Sequence, residues 1–426
     1  MKSLLDRPDA ASEPRIEPPP GSTKRGRLMH VSLVVGLLFA AAALRLARLD
    51  LVQYREDDDA LWNIVTRIAK TGTLPITGMH SSIGLPNGPF QAWLLAPFGL
   101  IGASPPIMTA GVGLLNVLGI AFVYGFARDF FGQRVALWSL MLVAVNPWAV
   151  VLSRRLWGDD LVAPWAALTL WMLARWLYRR DGKALVVGAA SLAIVCQVYI
   201  VGLEWLVVAA VAVVLSGRRL WSRWTAVASA VFALLVAPYA VGAALPRLTA
   251  LSNIGGAQPG HAPVFDLTSI KFALELASNE GYQSFALQGG SVLDATSGVP
   301  GAFGIVARLF YVIGLVLSLW VLLRGSATGV GRRRGLELLM LVAVVVPSIA
   351  LLRHSVPVYP YYLVASCPAP YVLSGRAIDW LWSHAASVRA SATSAIRALL
   401  VAGVGGTVVV NLALAGVFFS VAGDYY

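Results

Sequence analysis

Apolar runs the length of a bilayer recur along nearly the whole chain, and no soluble architecture could bury them all. Crossing the hydrocarbon core as a helix takes about 20 mainly apolar residues, with roughly 17 to 25 acceptable. Runs that reach or approach this length fall at 29–49, 106–127, 135–152, 161–178, 184–200, 203–215, 224–245, 304–323, 336–352, 362–382 and 398–421. They predict an all-α polytopic membrane protein with about 11 transmembrane helices. The short run 203–215 is expected to form a bent hairpin with its predecessor across Val201-Gly202. Composition agrees, with 58% hydrophobic and only 13% charged residues and a mean hydropathy of +0.73.

A net charge of +12 would suggest nucleic acid as the partner of a soluble protein. Here the basic residues cluster in alternate loops, so the positive-inside rule accounts for them and no nucleic acid is expected. Lys24, Arg25 and Arg27 place the N-terminus in the cytoplasm. Arg128 and Arg134, then Arg179, Arg180 and Lys183, then Arg218, Arg219 and Arg223 mark further cytoplasmic loops. Arg324, Arg332, Arg333, Arg334, Arg376, Arg389 and Arg397 continue the pattern. The chain is thus read as a disordered cytoplasmic tail, 1–28, and a single transmembrane domain, 29–426. Segments 50–105, 153–160, 246–303 and 353–361 are expected outside. Cys196 and Cys367 lie in apolar runs and read as buried thiols.

The outer segments hold most of the unusual chemistry. Leu61, Trp62, Val65, Ile68 and Ala69 recur at helical spacing and predict a helix along the membrane surface, ending at Gly72. The stretch 88–98 is apolar but short, which predicts a second interfacial or re-entrant helix. In the long loop 246–303 one amphipathic helix is expected, from Thr268 to Ser278. Such a loop is commonly a functional lid or disordered. The chain has no P-loop, nucleotide-binding glycine fingerprint or His-x-x-x-His spacing, so no nucleotide cofactor is expected.

Three polar constellations converge on the outer side. Glu56, Asp57, Asp58 and Asp59 directly precede the surface helix, where one acid would suffice as a cap. A carboxylate at an apolar mouth can instead accept a proton or hold a divalent cation. Arg154 and Arg155 share a short turn with Trp157, Asp159 and Asp160, which leaves either an internal ion pair or an anionic ligand as their partner. Arg353 and His354 precede Tyr359, Tyr361 and Tyr362, a shaped polar edge or simply part of the aromatic belt. Glu204 is expected to face the outer cavity rather than lipid. Mid-span positions are mostly Ala, Val and Leu, which fits an external active site better than a transport route, where polar groups gather at the midplane.

In order and topology these features resemble the GT-C superfamily of polyprenyl-phosphate-sugar-dependent glycosyltransferases. The closest branch holds the protein mannosyltransferases and the lipid A aminoarabinose transferases. Asp58-Asp59-Ala60-Leu61-Trp62 stands where that branch has Asp-Glu-Ala-x-Tyr after its first span. Lys70-Thr71-Gly72, the Gly88–Leu94 segment, Arg128-Asp129-Phe130-Phe131-Gly132 and Asn146-Pro147 follow in the family's order. Arg154 or Arg155 with Asp159 or Asp160 matches the turn opening the fourth span, and Arg353-His354 with the tyrosines and Pro368 echoes a later motif. The family's Lys near the fifth span is replaced here by Gln197 and Tyr199.

The resemblance implies a GT-C-like fold with extracytoplasmic interfacial helices, in the inner membrane of a bacterial cell. It implies transfer of a hexosyl or pentosyl group from a polyprenyl-phosphate-sugar donor to a glycan, lipid or protein acceptor at the outer face, with membrane lipid around the prenyl chain. Asp58 is the expected base, with Asp59 and Asp160 tuning it; should a divalent metal ion take part, Asp58 and Asp160 are its candidate ligands. Arg154, Arg155, Arg353 and His354 would receive the departing phosphate, and Trp62, Trp157, Glu204, Tyr359 and Tyr361 would line the pocket. The competing classes are a lipid or small-solute transporter or flippase, and a non-catalytic membrane scaffold.

Overall fold

The computed structural model describes residues 24–51, 56–81, 84–254, 262–281, 299–324, 330–387 and 390–421. Every predicted span coincides with helix. They are α1 (Lys24–Leu46), α4 (Pro105–Phe131), α5 (Gln133–Val145) with α6 (Pro147–Val151), α7 (Val162–Arg179), α8 (Gly182–Val198), α9 (Trp205–Ser216) and α10 (Arg223–Tyr239). The last four are α12 (Val299–Leu323), α13 (Val330–Ala350), α14 (Ala369–Ala385) and α15 (Ala390–Val421). Residues 24–46, 105–131, 223–249, 300–323 and 392–419 form helices long and apolar enough to cross a membrane unaided. The others are shorter or less apolar.

Departures from the expected boundaries have local causes. Helix α1 begins at Lys24, so 24–28, expected in the tail, are helical; 1–23, like Gly423–Tyr426, lie outside the described residues. The span 135–152 is broken at Asn146-Pro147, because Pro147 has no N–H for the ladder and Asn146 caps α6 by accepting from the Ala149 amide at 2.9 Å. The span 362–382 starts late: Pro360–Ser366 form a 3-10 turn before α14. Between α8 and α9 the 3-10 turn Ile200–Glu204 packs back on the end of α8, with Gly202 against the Val195 carbonyl.

The two helices expected at the membrane surface form as α2 (Glu56–Thr71) and α3 (Phe90–Ile101), which pack on each other. Four carboxylates in the first turn of α2 complement its positive end. Leu61, Val65 and Ile68 are buried on one face together with Asp58, while Glu56, Asp57, Asp59 and Asn63 are exposed. The loop after α10 contributes α11 (Thr268–Leu276) and β1 (Val264–Phe265), which pairs antiparallel with β2 (Arg353–His354). Residues 282–298 of that loop lie outside the described residues.

Around α4 and α5 the bundle packs tightly, with α7, α1 and α14 against them. Where α4 crosses α7, a Cβ on Gly119 would fall 2.7 Å from the Pro164 backbone, so only glycine permits that approach. Two buried arginines tie helix ends together. Arg45 donates to the Ala144 and Val143 carbonyls at 2.9 and 3.3 Å, satisfying the open end of α5. Arg154 donates to Leu44 and Arg48 at 3.0 and 2.8 Å, doing the same for α1.

Candidate active site

The start of α2, the turn 152–161 and the segment 359–362 meet at one end of the bundle. On α2, Asp58 is one helical step before Leu61 and shares its inward face, so it is 1% exposed while Glu56, Asp57 and Asp59 are exposed. Its Oδ1 accepts the Leu156 amide at 2.9 Å, joining the acidic run to the arginine turn.

That turn is clamped on several sides. Ser153 Oγ donates back to Val150, Asn116 Nδ2 donates to the Asp160 carbonyl at 2.8 Å, and Arg154 reaches across to α1. A Cβ on Gly158 would sit 2.3 Å from Gln91 Oε1, so the glycine lets the turn lie directly against that α3 side chain. Within this frame Arg155 is 5% exposed, its guanidinium 3.5 Å from the Trp157 ring and 5.8 Å from that of Tyr361.

Asp159 and Asp160 are both 1% exposed, and neither carboxylate makes a full hydrogen bond among the described residues. Burial pushes the Asp159 carboxyl up to about 7, partly offset by the Arg155 cation and the amides of the turn itself, with Asp58 adding to the rise. Asp160 is raised well above the usual carboxylate range, by burial first and then by the neighbouring Asp159. Three buried carboxylates around one guanidinium form a group able to take up a proton near neutrality.

An aromatic wall closes the other side. Trp157 meets Tyr361 edge-on at 4.8 Å, Tyr361 meets Tyr362 edge-on at 4.7 Å, and Tyr359 stacks on Tyr361 at 5.2 Å. Tyr199, at the end of α8, stacks on Tyr362 at 6.4 Å. The Asn146-Pro147 break holds the segment above: Asn146 Nδ2 donates to Ser278 at 3.0 Å and Trp148 Nε1 to Glu280 at 2.8 Å.

The expected site residues therefore separate into two groups. Asp58, Arg155, Trp157, Asp159, Asp160 and Tyr361 come together, with Tyr359 at the rim. Arg154 is instead bonded to the end of α1, and Asp59 points outward and accepts from Asn63 at 2.9 Å. Trp62 donates to the Ala103 carbonyl at 2.9 Å. His354 is bonded to the Val356 carbonyl at 2.8 Å, with Asp266 at 3.4 Å, in the β1–β2 strap, and Arg353 is an exposed residue of the same strap. Glu204 is held at the α8–α9 turn with Oε2 buried and unbonded. Sequence reasoning did not single out Tyr199, Tyr362 or Gln91 as site residues. The tyrosines carry one legible signal, an aromatic ring at a helix end.

For a divalent ion, Asp58 and Asp160 do share one buried cluster. Among the described residues, however, no three His, Cys, Asp or Glu side chains converge as a ligand set.

We expect Arg154→Gln to act on stability rather than chemistry. Losing two charge-assisted bonds to partly buried carbonyls costs about 2–4 kcal/mol, read as a lower Tm of the detergent-solubilised protein. A variant with unchanged Tm and no activity would instead return Arg154 to the reacting centre.

Residues 86–241 match the family model described as dolichyl-phosphate-mannose-protein mannosyltransferase. No curated protein matches the chain by sequence. Among solved structures, ArnT from Cupriavidus metallidurans bound to undecaprenyl phosphate is similar at TM-score 0.54 and 17% identity, over 93% of this chain and 76% of that one. The apo Archaeoglobus fulgidus oligosaccharyltransferase is similar at TM-score 0.60 and 15% identity, over 92% of this chain. The chain spans 56% of the length of that archaeal protein. Another structure of it, in complex with Zn and sulfate, is similar at TM-score 0.56 and 17% identity, over 90% of this chain and 53% of that one. At these identities what carries across is the fold.

Proposed function

We propose, for a multi-pass membrane chain with the GT-C fold and a protein-mannosyltransferase match over residues 86–241, that it transfers a sugar from a polyprenyl-phosphate-linked donor to a glycan, lipid or protein acceptor. The observation that carries this reading is the Asp58–Leu156 bond, which brings three buried carboxylates and Arg155 into one cluster beside an aromatic wall. In this reading the N-terminus is cytoplasmic, the cluster faces the outer side of a bacterial inner membrane, and residues 29–426 act as one domain.

The chemistry balances on these groups. The acceptor oxygen forms a bond to the anomeric carbon as the bond from that carbon to the phosphate oxygen breaks. The acceptor proton passes to the carboxylate cluster, with Asp58, oriented by the Leu156 amide, as first recipient. The electron pair leaves on the polyprenyl phosphate, where Arg155 meets the growing negative charge. Trp157, Tyr199, Tyr361 and Tyr362 offer apolar faces to the C–H side of a sugar ring. Where a divalent ion takes part, Asp58 and Asp160 are the carboxylates nearest to hand.

Purified protein supplied with a labelled lipid-phosphate sugar and a membrane-extract acceptor is expected to give labelled product and free polyprenyl phosphate. Movement of labelled lipid across sealed vesicles with no covalent product would replace this reading by a flippase.

The raised Asp159 carboxyl couples folding to pH. Its folded value of about 7 lies above an unfolded value near 3.8, so the folded state binds the extra proton between these limits. Stability therefore falls as pH rises through that window, and the penalty is complete above pH 7. Asp159→Asn should raise Tm by a few degrees at pH 8 and hardly at all near pH 4, while transfer falls. An equal Tm change at both pH values would refute the buried charge.

A further inference from the structure

At the opposite end of α7 a second built site has no role in the reaction above. Helix α7 has 18 residues, so at about 1.5 Å per residue its ends lie roughly 27 Å apart, close to a hydrocarbon thickness. Its first residues follow Asp159 and Asp160; its last turn borders a cavity of about 320 Å³. Arg180, Arg219 and Ser222 supply polar lining, and Trp176, Trp221 and Trp224 supply three indole walls.

Two features show that the cavity is shaped rather than incidental. A Cβ on Gly182 would fall 2.2 Å from the Trp224 ring, so the glycine that opens α8 lets an indole lie against the helix start. The N-terminal ends of two 17-residue helices, α8 and α10, also border the cavity, and both carry partial positive charge. Asp181 and Ser222 cap them, accepting from the Ala184 and Thr225 amides.

The charge balance here favours an anion. Asp181 and Asp129, the nearby carboxylates, are taken up by Arg175 and Arg179 at 2.9 to 3.3 Å. Arg180, Lys183, Arg219 and Arg223 pair with no carboxylate among the described residues. Arg219 is braced by donating to the Leu177 carbonyl, at the end of α7.

The surroundings favour a lipid. Trp221 is 92% exposed, and α9 leads to it along an outward apolar strip in which Val214 is 79% exposed. An acyl chain laid along Val207, Ala210 and Val214, which share one exposed face of α9, would carry its headgroup to the two arginines, with Trp221 at the interface. We propose that this cavity binds the phosphodiester of an anionic phospholipid, with an acyl chain along α9, at the membrane face opposite the carboxylate cluster.

The test uses the full chain in detergent, with phosphatidylglycerol, phosphatidylcholine and inorganic phosphate as probes and native mass spectrometry and Tm as readouts. Phosphatidylglycerol should bind and raise Tm, and the other two should not. Arg180→Gln with Arg219→Gln should weaken phosphatidylglycerol binding by about thirtyfold. Trp221→Ala, at an exposed position that tolerates change, should weaken it too and serves if the double variant fails to fold. Equal binding of phosphatidylcholine, or full binding by these variants, would overturn the proposal. A response to inorganic phosphate matching that to the lipid would make this a free-anion site and reject the lipid. Asp58→Asn should leave lipid binding intact, since the two sites lie at opposite membrane faces.

Discussion

Asp58→Asn is expected to lower the rate of sugar transfer by roughly 10²- to 10⁴-fold, the range for removing a positioned proton acceptor. The substitution separates chemistry from folding. An amide oxygen can still accept the Leu156 N–H that Asp58 Oδ1 accepts at 2.9 Å, so the turn 152–161 keeps its anchor and Tm should move by only a few degrees. What disappears is a negative charge and a basic oxygen. Asp58 also helps to raise the Asp159 carboxyl, so any residual rate should begin to climb at lower pH than in the unmodified protein. Asp58→Ala removes the anchor as well and should cost stability in addition. A rate within threefold of the unmodified protein for Asp58→Asn, measured on folded protein, would move the proton to Asp159 or Asp160.

The second large effect is at Arg155. Its guanidinium faces the Trp157 ring at 3.5 Å and opposes the charge of Asp159 and Asp160. Arg155→Gln should lower transfer by about 10²- to 10³-fold, the loss seen when a group stabilising developing anionic charge is removed. Arg155→Lys should recover little, because an ammonium neither stacks on the indole nor forks toward a phosphate. Without the cation both carboxyls rise further, so the pH at which activity appears should shift upward. Opposite shifts at Arg155 and Asp58 distinguish a shared electrostatic cluster from simple loss of packing. If Arg155→Lys kept full rate, charge alone would suffice and the stacking geometry would be irrelevant.

Why Arg154 and Arg155 differ shows where sequence reasoning stops. Adjacent arginines in one turn are equivalent on paper as phosphate ligands. In the structure one guanidinium satisfies the Leu44 and Arg48 carbonyls at the end of α1, and the other lies against Trp157. Helix ends leave unbonded carbonyls, and which side chain meets them depends on where α1 finishes relative to a turn about 100 residues later. The acidic run resolves in the same way. Its position at a helix start was legible, and four acids there do complement the helix. That Asp58 alone turns inward follows from its phase relative to Leu61 and Val65, a periodicity already in the sequence.

In sequence His354 and Arg353 neighbour three tyrosines, Tyr359, Tyr361 and Tyr362, which suggests a shared site. Pairing of β2 with β1, from a segment about 90 residues earlier, carries them into a strap instead. Tyr199 joins the aromatic wall because the α8–α9 turn brings it against Tyr362.

By itself the sequence determined the class, the helices, the two short helices α2 and α3, and the end of the bundle where polar groups collect. These depend on local hydrophobic length and period, and on loop charge, which act over tens of residues. Only the tertiary structure decided which of the polar groups meet. A buried carboxylate's proton affinity and an arginine's partner depend on neighbours brought together by packing, and no spacing along the chain encodes that distance.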